Sequence, residues 1–471
     1  MLRRAAALGL CLATAGCGLF GPRTKGPDGL SVYDADLRRL VRRERFEAAL
    51  DLAEAEAADA GDDMLAALNF ALVEHYAGHH ESSNARLEAV DVQIEERFTK
   101  SVSKAALSLI TSDRALEWLP SRFERPMIHV YGALGYLSLG EFDEAAVEAR
   151  RLSRLLDDLA ERDVAEDELD VYRTLRYFAG AVFEATGELN DAGVAYRHSG
   201  LGEETARLGP LPGMGEVVLL VESGFVANRV EQSVNLLLNA DDADYLRSGS
   251  DRTRYHAASC LSRDRLGHAY QSFGLSLEAD DCRRRRRKRR PEKDDDGDVA
   301  YLLRVAWPVM RRSIHAVPVH HVRAFAASTP PTFADRDIGS PSMTDLEGEA
   351  LLHADLSGAA ISDFNSRAAG ILIKAVARAA VKYTVVDAVA DDSEVAQVIG
   401  NAVTALLERA DTRSWALLPS NLHIVRLSLP AGTHRVVVEL GNSQFDMSPL
   451  ILDDVRVEAD RVSVVSARAW P

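Results

Sequence analysis

Cysteine thiols are the most reactive side chains of this sequence, and it contains four of them. Cys260 and Cys282 lie about 20 residues apart, so a disulfide between them would close a short loop in an oxidising compartment. The alternative is two free thiols. Neither residue belongs to a CxxC pair or to a Cys/His group with zinc spacing, so the sequence predicts no metal and no cofactor.

Other residue types that support catalysis are present, but not in catalytic patterns. His79 and His80 are adjacent at a predicted helix turn, and His320 and His321 are adjacent in a predicted strand, where they point to opposite faces. The motifs HExxH and GxSxG are absent. Glu222 is a carboxylate inside an apolar strand, where an edge position or pairing with another side chain is favoured over a general-base role. We therefore expect a protein that is not an enzyme.

The first residues have the pattern of an export signal. A positively charged start precedes a short apolar run, and two small residues stand directly before Cys17. The segment resembles a bacterial lipoprotein signal, with Thr14 where that family usually has Leu. The resemblance implies a signal peptide at 1–16, fatty acylation of Cys17 and anchoring in the outer membrane of a Gram-negative cell, facing the periplasm. An ordinary signal peptide with an incidental cysteine is the alternative.

Composition and charge set broad limits on function. The 471 residues carry a formal net charge of −17, and 47% of them are hydrophobic, as in an ordinary globular protein. An acidic surface of this kind argues against nucleic acid as a partner. After the first residues, no stretch is long and apolar enough to predict a transmembrane helix.

Helices with a recurring local pattern are predicted from residue 32 onward. Phe46, Phe142 and Leu189 are each followed three residues later by alanine, and glycine stands two residues before the second and third of them. Glycine turns the chain between helices, and alanine lets helices pack closely. The pattern resembles an irregular tetratricopeptide repeat (TPR), with a generic α-helical bundle as the alternative. We expect a flexible tether at 17–31 and a TPR-like helical domain at 32–208.

A β-rich domain is predicted at 209–342, because β-branched, partly alternating runs replace the helical pattern. It is interrupted at 281–298 by a basic and then acidic insertion that includes the run Arg283–Arg290. This run would either contact phosphate or an acidic partner, or form part of a solvated, disordered insertion. We favour the insertion.

Helical periodicity returns as a predicted helical pair at 343–409. The range 410–471 then predicts a small C-terminal β-strand domain with a hairpin at Pro430–Gly432. The expected fold class is α+β: an N-terminal TPR-like α-helical array, then a β-rich region with a helical pair and a small C-terminal β domain.

Three segments together resemble a poorly characterised family of Gram-negative TPR-containing lipoproteins: Glu124–Arg151, Gly215–Glu231 and Ala410–His434. That family has no agreed catalytic site, so the resemblance assigns no active residues. In the third segment, Arg413 and Trp415 are either an exposed contact for a partner or a packed junction between regions. We favour the junction.

These observations predict a lipid-anchored periplasmic scaffold that binds an envelope protein through TPR-like repeats and assists cell-envelope assembly. Its partners would be that protein and the lipid bilayer at acylated Cys17, and not nucleic acid. The alternative is an envelope hydrolase or carbohydrate-processing enzyme with its site in the β-rich region. A deep pocket lined by acidic, histidine or serine side chains would favour the enzyme, and a filled apolar core would favour binding.

Overall fold

The computed structural model describes residues 29–100, 118–160, 166–201, 209–238, 301–313, 321–327, 347–389, 409–441 and 449–470. The expected signal peptide at 1–16, Cys17, most of the tether, the cysteines Cys260 and Cys282 and the insertion at 281–298 lie outside the described residues.

Helices fill the described part of the first 200 residues and are arranged in consecutive pairs. They are α1 (Val32–Arg42), α2 (Phe46–Ala60), α3 (Met64–Tyr76), α4 (His80–Lys100), α5 (Arg125–Leu139), α6 (Phe142–Ala160), α7 (Glu166–Ala185) and α8 (Leu189–His198). Ser31 and Asp63 begin α1 and α3, because their side-chain oxygens accept the free backbone N–H groups there. Gly78, Gly140 and Gly187 turn the chain within three of the pairs at φ values of 82°, 76° and 86°.

The two helices of a pair differ in how they are buried. α5, the first helix of its pair, is buried at every position from Pro126 to Gly135. α6, the second helix, is amphipathic: Ala145, Ala149 and Leu152 are buried while Val147 is exposed. A helix that is buried on all sides needs partners on all sides, and α5 has them because it lies between α6 and a β-sheet.

The sheet has seven strands and is a nearly closed barrel. Its order is β8-β7-β4-β5-β6-β1-β9, and the outermost strands β8 and β9 approach each other. The strands are β1 (Met214–Ser223), β4 (His321–Ala327), β5 (Glu347–Asp355), β6 (Asn421–Pro430), β7 (Gly432–Gly441), β8 (Leu450–Val457) and β9 (Val462–Ala469). β1 pairs antiparallel with β6 and parallel with β9.

Alternate residues of β1 face two different cores. On β1, Val217, Leu219 and Val221 face the barrel interior, whereas Val218 and Leu220 pack into a core shared with the helices. The described interior is otherwise aliphatic, lined by Val322, Ala324, Ala326, Val425, Leu427, Leu429, Val436, Val438, Leu440, Val455, Val457 and Ala469. The helices and the barrel therefore share one hydrophobic core across their junction.

The start of the predicted helical pair is a strand, so that prediction was wrong for Glu347–Asp355. This segment pairs with β4 on one side and β6 on the other. Its Glu, Ala and Leu residues have good helix propensity, but pairing on both edges outweighs a weak local preference. Helix α9 (Leu356–Val389) begins directly after it, and the second helix expected in this region lies outside the described residues.

The predicted hairpin at Pro430–Gly432 was also wrong. β6 ends at Pro430 and β7 begins at Gly432, yet β4 and β5 lie between these strands in the sheet. Gly432 has a φ of 151°, a conformation that favours glycine, and the chain changes direction here to enter another part of the barrel. Because β6–β9 join β1, β4 and β5 in one sheet, the expected boundary at residue 410 does not separate two β domains.

A second, two-stranded sheet consists of β2 (Asn228–Leu238) and β3 (Tyr301–Arg311), which pair antiparallel along their whole length. It packs against α9, which also contacts α7. Within the described residues, no helix combines the length and the apolar character needed to cross a bilayer.

Candidate functional site

The junction between the first helices and the barrel centres on Glu222 of β1. Its Oε2 accepts hydrogen bonds from the hydroxyls of Tyr76 on α3, at 2.9 Å, and Tyr131 on α5, at 2.6 Å. Nη1 of Arg468 on β9 donates to the same oxygen at 2.9 Å. One carboxylate oxygen on β1 therefore accepts hydrogen bonds from two helix pairs and from strand β9.

Burial determines the electrostatics of this cluster. It raises the pKa of Tyr76 and of Tyr131 well above the usual value, so both hydroxyls stay protonated and can donate. Burial alone would lower the pKa of Arg468, but the neighbouring Tyr76 and Glu222 outweigh it and the pKa is raised. The guanidinium also lies 4.7 Å from the ring centroid of Trp470 and 5.6 Å from that of Phe225, which stabilises its charge.

Glu222 is a paired structural carboxylate in this arrangement. The residue is 1% exposed, and Arg468 covers it together with both tyrosines. A general base must reach a substrate proton directly or through one water molecule, and this carboxylate has no open side for that contact. Pairing is the role that the sequence favoured.

A second cluster of hydrogen bonds and ion pairs connects the last helix pair, α7 and α8, to the barrel. Arg426 on β6 donates to Glu184 on α7 at 2.9 Å and 3.1 Å, and to Glu216 on β1 at 2.6 Å. The Tyr196 hydroxyl on α8 donates to Glu184 at 2.5 Å and accepts from Arg426 at 3.0 Å. These charge-assisted bonds lie at the edge of the shared core, where solvent weakens them less than at an open surface.

The two predicted contact residues lie on the inner side of the molecule. Trp415 has no exposed surface, and its backbone N–H donates to Glu124 on α5 at 2.8 Å. Arg413 pairs with Asp411, with Nε 2.9 Å from Oδ1 and Nη2 3.0 Å from Oδ2. Trp415 therefore packs the junction between helices and barrel, which is the arrangement favoured from the sequence.

Exposed apolar side chains occur on many elements, and four of them lie on α6 and α8, the second helices of two pairs. Phe142 and Val147 on α6 are each 40% exposed, and Leu189 and Val194 on α8 are 49% and 37% exposed. Arg150 on α6 and Glu188 before α8 form an ion pair at 2.5 Å that links the two helices. Val147 is one turn from Arg150, and Leu189 follows Glu188, so Val147 and Leu189 lie on either side of the ion pair. We call Phe142, Val147, Leu189 and Val194 the outer helix surface.

Candidate catalytic groups in the β region are few among the described residues. His353 on β5 stacks on His423 on β6, with ring centroids 4.4 Å apart, and its Nε2 lies 3.3 Å from Oδ1 of Asn421. His423 is 2% exposed and the barrel beyond it is aliphatic. In the part of the chain that the structure describes, no group of three or more His, Cys, Asp or Glu residues is placed to hold a metal ion.

Sequence reasoning singled out Glu222 but not its partners. Arg426 and Arg468 are single charges in otherwise apolar or small-residue strands, at positions that share a face with residues of the helix-facing core. A lone arginine on a buried strand face requires a buried acid. That signal was available, although the sequence does not say which acid pairs with which arginine.

Comparison with protein-family models, with curated proteins and with solved structures finds no match for this chain. Its function is therefore argued from its own residues.

Proposed function

We propose that this protein is a lipid-anchored periplasmic scaffold that binds an envelope protein on its outer helix surface and assists cell-envelope assembly. One observation carries the proposal. α6 and α8 expose Phe142, Val147, Leu189 and Val194, whereas most of α5, the first helix of its pair, is buried between α6 and the barrel of the same chain. Neighbouring exposed apolar side chains with charged residues around them are typical of a protein-binding surface.

We infer that the helix pairs are TPR-like. Each of the helices α2, α6 and α8 begins at the aromatic or leucine residue that the pattern marks, and Ala49, Ala145 and Ala192 three residues later have no exposed surface. Repeat arrays usually bind ligands on the concave side formed by their first helices. Here that side carries the contacts to Glu222, Arg426 and Trp415, so the partner binds to the second helices α6 and α8.

The position of Gly29, where the described residues begin, is in keeping with this choice of surface. Gly29 lies against Val230, just beyond the Ser223 end of β1. Phe142 lies under the guanidinium of Arg461, whose backbone bonds to the opposite end of β1. A ten-residue strand is about 30 Å long. An anchor at Cys17 would therefore join the fold on the side opposite Phe142, which leaves Phe142 free to face a periplasmic partner.

An envelope hydrolase has less support. The described interior of the barrel is filled by aliphatic side chains, and Glu222 is enclosed by its partners. A hydrolytic site needs acid or base groups at a surface that substrate can reach. The filled core therefore favours binding over catalysis.

The double variant Leu189→Asp/Val194→Asp tests the proposed surface. We expect cells that carry it to show the same sensitivity to envelope stress as cells without the protein, because two charges would have to be buried against the partner. The fold should persist, since both side chains are exposed and Leu189 lies in the first turn of α8, where Asp is favourable. Val92→Asp on α4, which replaces an equally apolar and exposed residue, is the matched control and should behave as wild type. Full activity of the double variant at normal protein levels would contradict the proposal.

A further inference from the structure

The turn between α3 and α4 brings two histidines together. Gly78 takes a left-handed conformation with a φ of 82°, and the N–H of His79 donates to the carbonyl of Glu74 at 2.8 Å. This reversal folds His80, the first residue of α4, back against His75 near the end of α3. Their ring centroids are 5.1 Å apart and the ring planes meet at 68°.

Each of these rings has a buried nitrogen without a hydrogen bond. The Nδ1 atoms of His75 and His80 are both shielded from solvent, and neither has a partner among the described residues. His75 is 5% exposed, whereas His80 is half-buried and gives the pair a route to solvent. Buried polar atoms in folded proteins nearly always have partners, so an orphaned pair calls for a missing ligand such as an ion.

The protonation state of the two rings suits a metal ligand. Burial, and then the nearby His80, lowers the pKa of His75 to about 3. Burial also lowers the pKa of His80. Both imidazoles are therefore neutral at neutral pH, which is the form that coordinates metal ions.

We propose that Nδ1 of His75 and Nδ1 of His80 together bind a divalent transition metal ion that prefers imidazole ligands, Zn²⁺ or Cu²⁺. Two imidazoles on one tetrahedral ion, with metal–nitrogen distances near 2.0–2.1 Å, have ring centroids roughly 5 Å apart. The observed spacing of 5.1 Å and the steep angle between the rings agree with that geometry. With two ligands from the described chain, water or a small anion entering beside His80 completes the coordination.

The site would also affect the junction, although it does not depend on partner binding. The ring of His75 packs against Tyr131 and Tyr76, at centroid distances of 5.1 Å and 5.6 Å. Both tyrosines donate to Glu222, so an ion that fixes His75 would also fix the first helices against the barrel. Binding to the folded state alone would raise the melting temperature.

Calorimetric titration of the untagged, metal-stripped chain with Zn²⁺ and with Cu²⁺ tests this inference. We expect one ion of at least one of these metals to bind with an affinity that falls at least tenfold in His80→Ala, a variant of a half-buried residue that should fold. The metal-induced rise in melting temperature should disappear in the same variant.

Two controls separate this site from other histidines. His434→Ala removes a partly exposed histidine on β7, far from the pair in the sequence, and should leave the affinity unchanged. His79→Ala removes the exposed neighbour and should change the affinity less than threefold. Unchanged binding by His80→Ala, or an equal loss in His79→Ala, would overturn the assignment, as would the absence of binding by the wild-type chain.

Discussion

Replacing Arg468 with methionine is expected to lower the free energy of unfolding by about 3–5 kcal/mol, because it leaves a buried charge without its partner. The carboxylate of Glu222 would then lie in the shared core with only the hydroxyls of Tyr76 and Tyr131 as partners. Methionine keeps most of the side-chain volume, so the loss reports on the charge and on the hydrogen bonds that the guanidinium donates to the carbonyls of Gly224 and Leu417. Urea denaturation followed by circular dichroism measures the effect.

The double variant Arg468→Met/Glu222→Gln is the control for this interpretation. Glutamine is neutral, but its oxygen still accepts hydrogen bonds from the two tyrosines. We therefore expect the double variant to recover a substantial part of the stability that Arg468→Met loses. If it were no more stable than the single variant, the loss would come from packing and not from the unpaired carboxylate.

Trp415→Ala is expected to destabilise the fold by about 3–5 kcal/mol, the usual cost of removing a large aromatic side chain from a core. The side chain has no exposed surface and packs against Tyr131 with ring centroids 6.3 Å apart. Trp415→Phe should cost much less, because it keeps an aromatic ring and the indole Nε1 has no hydrogen bond to lose. Thermal unfolding of the two variants measures the difference.

The same pair of variants distinguishes packing from recognition. A residue that contacts a partner would change binding and leave stability nearly unaltered. Wild-type stability of Trp415→Ala would therefore contradict the buried role that the structure gives this residue.

Local sequence patterns predicted helices correctly where the packing of the folded chain favours the same structure as the local pattern. Helices α6 and α8 begin at Phe142 and Leu189, two residues after glycine turns, and α2 begins at Phe46, two residues after Glu44, which takes a positive φ of 52°. The apolar, β-branched run Val217–Val221 on β1 likewise predicted a strand. The mixed character of the fold, with helices first and a sheet after them, follows from these patterns.

Features that depend on distant partners could not be predicted in the same way. Glu347–Asp355 is a strand because β4 and β6 are present on both sides, and its own residues have good helix propensity. β6 and β7 are separated by one residue, yet other strands lie between them. Periodicity reports that a face is buried, but it does not report which element covers it.

The junction shows the same limit at the level of side chains. Glu222 stands out in its strand, but Tyr76 and Tyr131 have no local feature that marks them as its partners. Their hydroxyls meet the carboxylate only because two separate helix pairs pack on the same barrel strand. The barrel covers much of the first helices, and for this reason we propose that the partner contacts the second helices. This arrangement depends on the folded chain and could not be predicted from local sequence.

Site-specific photo-crosslinking in intact cells tests the central claim most directly. A photoreactive amino acid is placed at Leu189 or Val194 on the outer helix surface and, for comparison, at the exposed Val92 on α4. We predict a discrete crosslink to one envelope protein from Leu189 and from Val194, and no crosslink to that protein from Val92. A probe at Phe142 should give the same crosslink, which should disappear when Leu189→Asp/Val194→Asp is present in the same chain. The account would be contradicted by the absence of a crosslink from the outer helix surface, or by equal crosslinking from Val92.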